Sequence, residues 1–244
     1  MRILLTAFTI IALALPASAQ WPPEIRNLKV IPTTTKFGAL IDTMKAFTRA
    51  LGVRCTYCHI GREDQELSEY NFASDEKPAK LKAREMLKMV GAINDQYLAG
   101  LPMRRQPAIA VSCITCHHGL SQPRTIQQVV LNAYATGGFA GADSTYRALR
   151  TRYYGAAAYD FGEVPLTDVA AAVQAQGNGP DAIRLYQLNI QYLPTSGFAY
   201  RQLGFGYLET HDTAAALAAF RKRLELQPGN AEAKQLVDML VKKP

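Results

Sequence analysis

Cysteine is scarce in this chain and confined to four positions, Cys55, Cys58, Cys113 and Cys116. A disulfide-stapled scaffold is thereby disfavoured, because such frameworks distribute their cysteines along the chain. Histidine is equally scarce: of four, His59 and His117 directly follow a cysteine pair, leaving only His118 and His211 elsewhere. Basic clusters of the kind that track a phosphate backbone are missing, which argues against nucleic acid as a partner. Beyond residue 19 no run is apolar enough to span a bilayer, and no cysteine follows there to accept a lipid, so neither a transmembrane anchor nor a lipid anchor is expected.

What is present is a repeated pentapeptide. Cys55-Thr56-Tyr57-Cys58-His59 and Cys113-Ile114-Thr115-Cys116-His117 each read as a c-type haem attachment site. In such a site two thiols bond the porphyrin's vinyl groups and the adjoining histidine reaches the iron from one side. Two sites predict two covalently attached haem c groups, with His59 and His117 as iron ligands. Zinc ribbons place their cysteine pairs closer together, and dithiol redox centres need no histidine directly after the second cysteine.

The leader suits that reading. Arg2, an apolar run from Ile3 to Leu15 and the small residues Ala17-Ser18-Ala19 predict a cleaved signal peptide over 1–19. The run is shorter than about 18 residues and ends at Pro16, which argues against an uncleaved anchor. The mature chain is expected to start near Gln20 and to work outside the cytoplasm, periplasmic in a bacterium, where haem attachment is completed and disulfides are permitted.

Between the motifs the pattern is helical. Ile25 to Ile31 reads as a short strand or loop. Thr33-Thr34-Thr35 offers an N-cap to a helix with apolar positions Phe37, Leu40, Ile41, Met44, Phe47 and Leu51, ended by Gly52. Met44 lies eleven residues before Cys55, about three turns back, within reach of the iron face opposite His59. A methionine on an apolar stripe is also ordinary core filler; a haem in need of a sixth ligand favours the ligand role. Residues 61–70 read as an acidic loop, and Ser74-Asp75 before Pro78 signals a second helix running to about Leu98. Its stripe is Met86, Met89, Val90, Ile93 and Tyr97. Met86 and Met89 share a side, and spacing does not choose between them; Met103, in a Pro-bounded loop, is a third candidate. His118 sits beside His117 on the same side of its haem, and is expected at the surface or against a propionate.

From Gln20 to Ala142 there are 15 Lys+Arg against 10 Asp+Glu, and from Asp143 to Pro244 there are 11 against 10. The basic excess therefore accompanies the haem motifs. It neutralises haem propionates in part, and what remains would steer an acidic redox donor or acceptor.

The C-terminal part repeats. Tyr200, Leu203, Gly204, Tyr207, Ala216, Phe220 and Pro228 fall at the spacings of a tetratricopeptide unit. A shift of 34 residues finds Leu166, Val169, Ala170, Val173, Ala182, Tyr186 and Pro194. Residues 231–241 read as a capping helix. Such repeats serve either as a peptide-binding groove or as plain packing. With Gly137, Gly138 and Gly141 as a break, the expected organisation is an all-α chain. It comprises a signal peptide at 1–19, a dihaem cytochrome c domain at 20–135, a linker with connecting helix at 136–162, and two repeats with a cap at 163–244.

The run Met44-Lys45-Ala46-Phe47-Thr48, then CTYCH, FASDEKPAK, KAREMLKM with Ala92-Ile93-Asn94, and CITCHHG resembles one half of the photosynthetic reaction-centre cytochrome c subunit family, over roughly residues 24–125. In that family each haem follows a helix that donates a distal methionine. The resemblance implies Met44 for one haem and Met86, rather than Met89, for the other. The family carries four haems in two halves and is often lipid-anchored; this chain has one half and no lipidated cysteine. A related electron carrier is therefore expected, rather than a reaction-centre subunit.

The combined expectation is an exported dihaem cytochrome that passes single electrons between redox proteins and is not an enzyme, because a methionine on each distal face denies substrates the iron. Two other classes compete: a dihaem reductase or peroxidase with one open iron position, and an adaptor in which the repeats bind a partner and haem acts as a sensor.

Overall fold

The computed structural model describes residues 25–102 and 107–242. The leader at 1–19, Gln20 and Met103 lie outside them. The fold is all-helical, with one isolated antiparallel bridge, Ile60 to Asn71, among the described residues. No helix there is long and apolar enough to cross a membrane. The chain divides into two compact units, Met1–Thr115 and Cys116–Pro244.

In the first unit, α1 (Phe37–Leu51) carries the expected apolar stripe and ends at Gly52, whose φ of 63° is left-handed and whose N–H donates to the Thr48 carbonyl. Its start differs from the expectation. Lys36 is the N-cap and makes no side-chain cap, while Thr35 closes a turn on the Pro32 carbonyl instead. Residues 25–31 form no strand.

A loop follows the first cysteine motif and closes on itself at the Ile60 to Asn71 bridge. Tyr70 lies over Gly61 so closely that a Cβ there would sit 2.7 Å from its ring, which excludes any larger residue. Next comes α2 (Pro78–Ala92), with Pro78 in its first turn and Lys77 as N-cap, and a π-helical turn over Ile93–Leu98 extends it to the expected end. α3 (Cys113–His117) is the second cysteine motif itself.

The first unit has almost no polypeptide core. Among its described residues only Ala50 is buried, whereas Leu81, Met86, Met89, Tyr97 and Ile109 are all exposed. Large apolar groups are thus left uncovered in this unit in an unusual number.

The second unit is the opposite case. α4 (Ile126–Tyr153) opens with a capping box between Thr125 and Gln128 and breaks at Gly138, where φ is 57° and ψ −153°. The break is a sharp turn: a Cβ on Gly141 would lie 2.5 Å from the carbonyl oxygen of Ala133. In a straight helix eight residues would separate them by about 12 Å. The glycine stretch read above as a linker thus holds a kink. Val130 from one arm and Ala142 and Tyr146 from the other are buried in the same core as Leu166, Val169 and Leu185.

Helices α5 (Glu163–Ala175), α6 (Gly179–Tyr192), α7 (Gly197–Glu209) and α8 (Thr213–Leu226) form two pairs whose starts are 34 residues apart, and α9 (Ala231–Lys242) follows at the same interval. The expected positions Leu166, Val169, Ala170, Val173, Ala182, Tyr186, Leu203, Ala216 and Phe220 are all buried. Pro194 and Pro228 each fall two residues past a helix end.

Gly204 lets α7 approach α8, since a Cβ there would stand 2.5 Å from the Phe220 ring. The Gly204→Ala variant is therefore expected to lose about 1–3 kcal/mol by overpacking. Urea denaturation followed by circular dichroism checks it, and an unchanged midpoint would show that the helix pair has slack there.

Candidate haem site

α1, the first cysteine motif, residues 25–31 and the start of α2 enclose a cavity of about 400 Å³. Met44, Cys55, Cys58 and His59 all line it. Its volume lies in the range of small-molecule and cofactor pockets. The apolar stripe of α1 forms one wall through Phe37, Leu40, Ile41 and Phe47. That face is apolar because it meets the cavity, not another helix.

Within the motif, Cys55 to Tyr57 make one 3₁₀ turn, and the His59 N–H donates to the Cys55 carbonyl at 3.0 Å. This turn brings both thiols and the imidazole to one wall; both cysteines are free thiols. Nδ1 of His59 is buried without a partner of hydrogen-bond geometry, and the ring is held edge-on against Phe72, centroids 5.0 Å apart. Burial lowers the proton affinity of His59, Lys80 lowers it further, the Phe72 backbone opposes them, and Lys77 adds a lesser lowering. The ring is thus kept neutral with a lone pair available, as metal ligation requires. Burial is also the main effect raising the Cys58 thiol, against the nearby Lys77 and Lys80 charges.

The remaining wall is tied by a polar framework that the sequence did not reveal. Asn27, at a left-handed φ of 64°, donates through Nδ2 to the Ala73 carbonyl at 2.6 Å and to Asp75 Oδ1 at 2.9 Å. Arg84 pairs with Asp75 at 2.9 Å and donates to the Asn27 carbonyl at 3.1 Å. Lys80 Nζ donates to the carbonyls of Phe72, Ala73 and Ser74 at 2.8, 3.1 and 2.8 Å, and Lys77 donates to the Thr56 carbonyl inside the cysteine motif. Ser74-Asp75, expected to open α2, instead serves this framework. No local pattern could have signalled it, because its partners are up to 57 residues apart.

α2 presents two sides. Lys80, Ala83, Arg84 and Leu87 line the cavity, whereas Met86 and Met89, on another side, are 42% and 46% exposed. Spacing leaves those two methionines equivalent, and so does their exposure. The second motif is held at its entry by Asn94, which donates to the Val111 carbonyl at 2.8 Å and accepts from the Val111 N–H at 2.7 Å. Cys113 is half-buried and Cys116 exposed. At His117, Nδ1 lies 2.7 Å from the Leu120 carbonyl. A carbonyl can only accept, so Nδ1 carries the hydrogen and Nε2 the free lone pair, the arrangement that orients a metal-ligating histidine. His118 is exposed, with a left-handed φ of 49°.

The residues present therefore fit a covalently held haem at the first motif. Two thiols, an imidazole and a thioether border one apolar space, and a buried ring nitrogen there lacks a protein partner. At the second motif the fixed histidine tautomer fits the same use. Among the described residues no group of three or more His, Cys, Asp or Glu is arranged to hold a metal ion by itself. The second unit carries a groove of about 380 Å³ bordered by Ala171, Gln174, Tyr186, Gln202, Phe205 and Glu209.

No protein-family model matches the chain. Cytochrome c-554 of Chloroflexus aurantiacus is 42% identical over 69 residues, which is 28% of this chain; the chain spans 14% of that relative's length. Among solved structures, the tetratricopeptide-repeat domain of Sgt2 from Aspergillus fumigatus is 19% identical, covering 48% of this chain and 76% of that one, with a TM-score of 0.33. The Yersinia enterocolitica secretion chaperone SycD, in complex with a peptide of the translocator YopD, is 16% identical, covering 49% and 92%, with a TM-score of 0.33.

Asp75 is held well below the usual carboxylate range, first by the Arg84 hydrogen bond, then by Asn27 and Lys80, with desolvation opposing. A depressed acid stabilises the fold above its ordinary value of about 4 and loses that contribution as pH falls below it. Acidification below about pH 4 is therefore expected to destabilise the first unit, and Asp75→Asn to remove part of that dependence. Thermal melts from pH 2 to 7 check this; equal acid sensitivity in both proteins would show that other groups carry it.

Proposed function

We propose that this chain is an exported dihaem c-type cytochrome that passes single electrons between redox proteins. The observation that carries the reading is that Met44, Cys55, Cys58 and His59 border one cavity. The partial likeness to cytochrome c-554 supports it. Bound haem supplies one-electron exchange between ferric and ferrous iron.

The chain's own residues do the rest. Cys55 and Cys58 would hold the first haem by thioether bonds, and Cys113 and Cys116 the second. His59 and His117 ligate from one side, His117 with its tautomer set by Leu120. Met44 reaches the opposite face at the first site. Met86 would do so at the second, the choice over Met89 resting on the family resemblance alone. A thioether from Met44 and another from Met86 would leave neither haem a position for a substrate, which would set the carrier apart from a reductase or peroxidase. Lys29, Arg54 and Lys45 lie exposed around the first site and draw an acidic donor or acceptor toward it. The leader at 1–19 directs export.

The groove at Gln174 and Gln202 favours a second role alongside the first, docking of an extended peptide on the repeats.

Substituting each methionine tests the ligation. Met44→Ala and Met86→Ala are each expected to remove about half of the near-infrared methionine-to-iron band of the oxidised protein, and to let the reduced form bind carbon monoxide at one iron. A variant whose spectra stay as in the parent would strike that methionine from the ligand set.

A further inference from the structure

Lys80 is the most heavily committed cation in the first unit. Its side chain is 13% exposed, and its Nζ meets three successive carbonyls, Phe72, Ala73 and Ser74, as well as Asp75 at 3.2 Å. An ammonium has three hydrogens to donate, so this set uses all of them. Two consequences follow from position. The carbonyls belong to the segment whose Phe72 ring packs edge-on against His59, so Lys80 fixes the surface that orients the imidazole. The same side chain lines the cavity that Met44, Cys55 and His59 border, which places a positive charge in its wall. Asp75 offsets only part of that charge, because it is shared with Arg84 at 2.9 Å, and Lys77 adds a further cation at the Thr56 carbonyl.

We infer that Lys80 is a positioning residue for the first haem, holding His59 through Phe72, and that its charge sets that haem's reduction potential above what the axial ligands alone would give. The physical reason is that ferric haem carries one more positive charge than ferrous haem, so a fixed cation in a low-dielectric wall disfavours the oxidised state. The inference rests on the haem reading above. It adds that one of the two haems is tuned by a side chain that never touches iron, while the other is not.

The experiment is a redox titration of the intact holoprotein with the two haems resolved optically, comparing Lys80→Gln and Lys80→Arg with Lys88→Gln. Lys88 is a control, since it is exposed and pairs only with Glu85 at 2.8 Å. In Lys80→Gln one haem is expected to become at least threefold harder to reduce, a fall of roughly 28 mV at 59 mV per tenfold, while the other haem and the Lys88→Gln protein stay put. Lys80→Arg keeps the charge, but a planar fork does not converge on three carbonyls as an ammonium does. It is expected to retain the potential while altering the near-infrared methionine band of that same haem, and it decides the matter alone should Lys80→Gln fail to accumulate. Unmoved potentials in Lys80→Gln, an equal shift in Lys88→Gln, or a parental band in Lys80→Arg would each overturn the assignment. A parent protein without haem absorbance would instead sink the reading of the site, a failure plainly distinct from these.

Discussion

The first unit is organised around a space that its own side chains do not fill. The hydrophobic effect normally draws an amphipathic helix against another apolar surface, yet the stripe of α1 faces a cavity of about 400 Å³ and only Ala50 is buried among the unit's described residues. Small units that cannot close a core from their own side chains recruit covalent staples, metals or cofactors. Two cysteine-pair motifs each followed by histidine carry the residue types that attachment of such a cofactor needs, and the first of them, Cys55 to His59, stands in the unit that lacks a core. On the haem reading proposed above, cofactor binding and folding would be coupled, since a ligand that binds only the folded form stabilises it. The second unit needs no such help, because its paired helices bury Leu166, Leu185, Tyr186 and Phe220 against one another.

A cavity must be held open as well as lined, and charge does this at the first motif. Asp75, Lys80, Arg84 and Asn27 connect the segment before α1, the loop before α2 and the first turns of α2 through short, mostly charge-assisted bonds. The framework offers cations and backbone carbonyls at the rim while leaving the interior apolar. One side of α2 walls the first cavity, and another exposes Met86 and Met89.

Much of this was legible in the sequence because it is local or periodic. The stripe and terminal Gly52 of α1, Pro78 at the start of α2, and the 34-residue spacing of the helix pairs follow rules that act over a few turns. The cysteine motifs were legible because the chemistry demands contiguous residues. The Asn27, Asp75 and Arg84 network was not, since each partner is an ordinary polar residue until a distant segment arrives. Nor was the role of Gly138, whose left-handed backbone reads equally as a linker or as a kink. The N-cap of α1 is Lys36, one residue past the threonines, while the Thr35 N–H closes a turn on the Pro32 carbonyl. The choice of Met86 over Met89 came from family resemblance and stays with it, because the two share a helix side and near-equal exposure.

Electron carriage fits this architecture because it asks little of the protein beyond holding iron in a fixed, saturated and dry place. On the reading proposed above, attachment through two thiols and an imidazole would give the first requirement and a methionine on the far face the second, while the apolar wall of α1 gives the third. The most direct measurement is the intact mass of the purified, exported protein together with its absorbance. The account predicts a mass greater than the processed polypeptide by two haem groups, and a red protein that remains red after acid-acetone extraction. A mass equal to the polypeptide alone, or colour that extracts into the solvent, would contradict it.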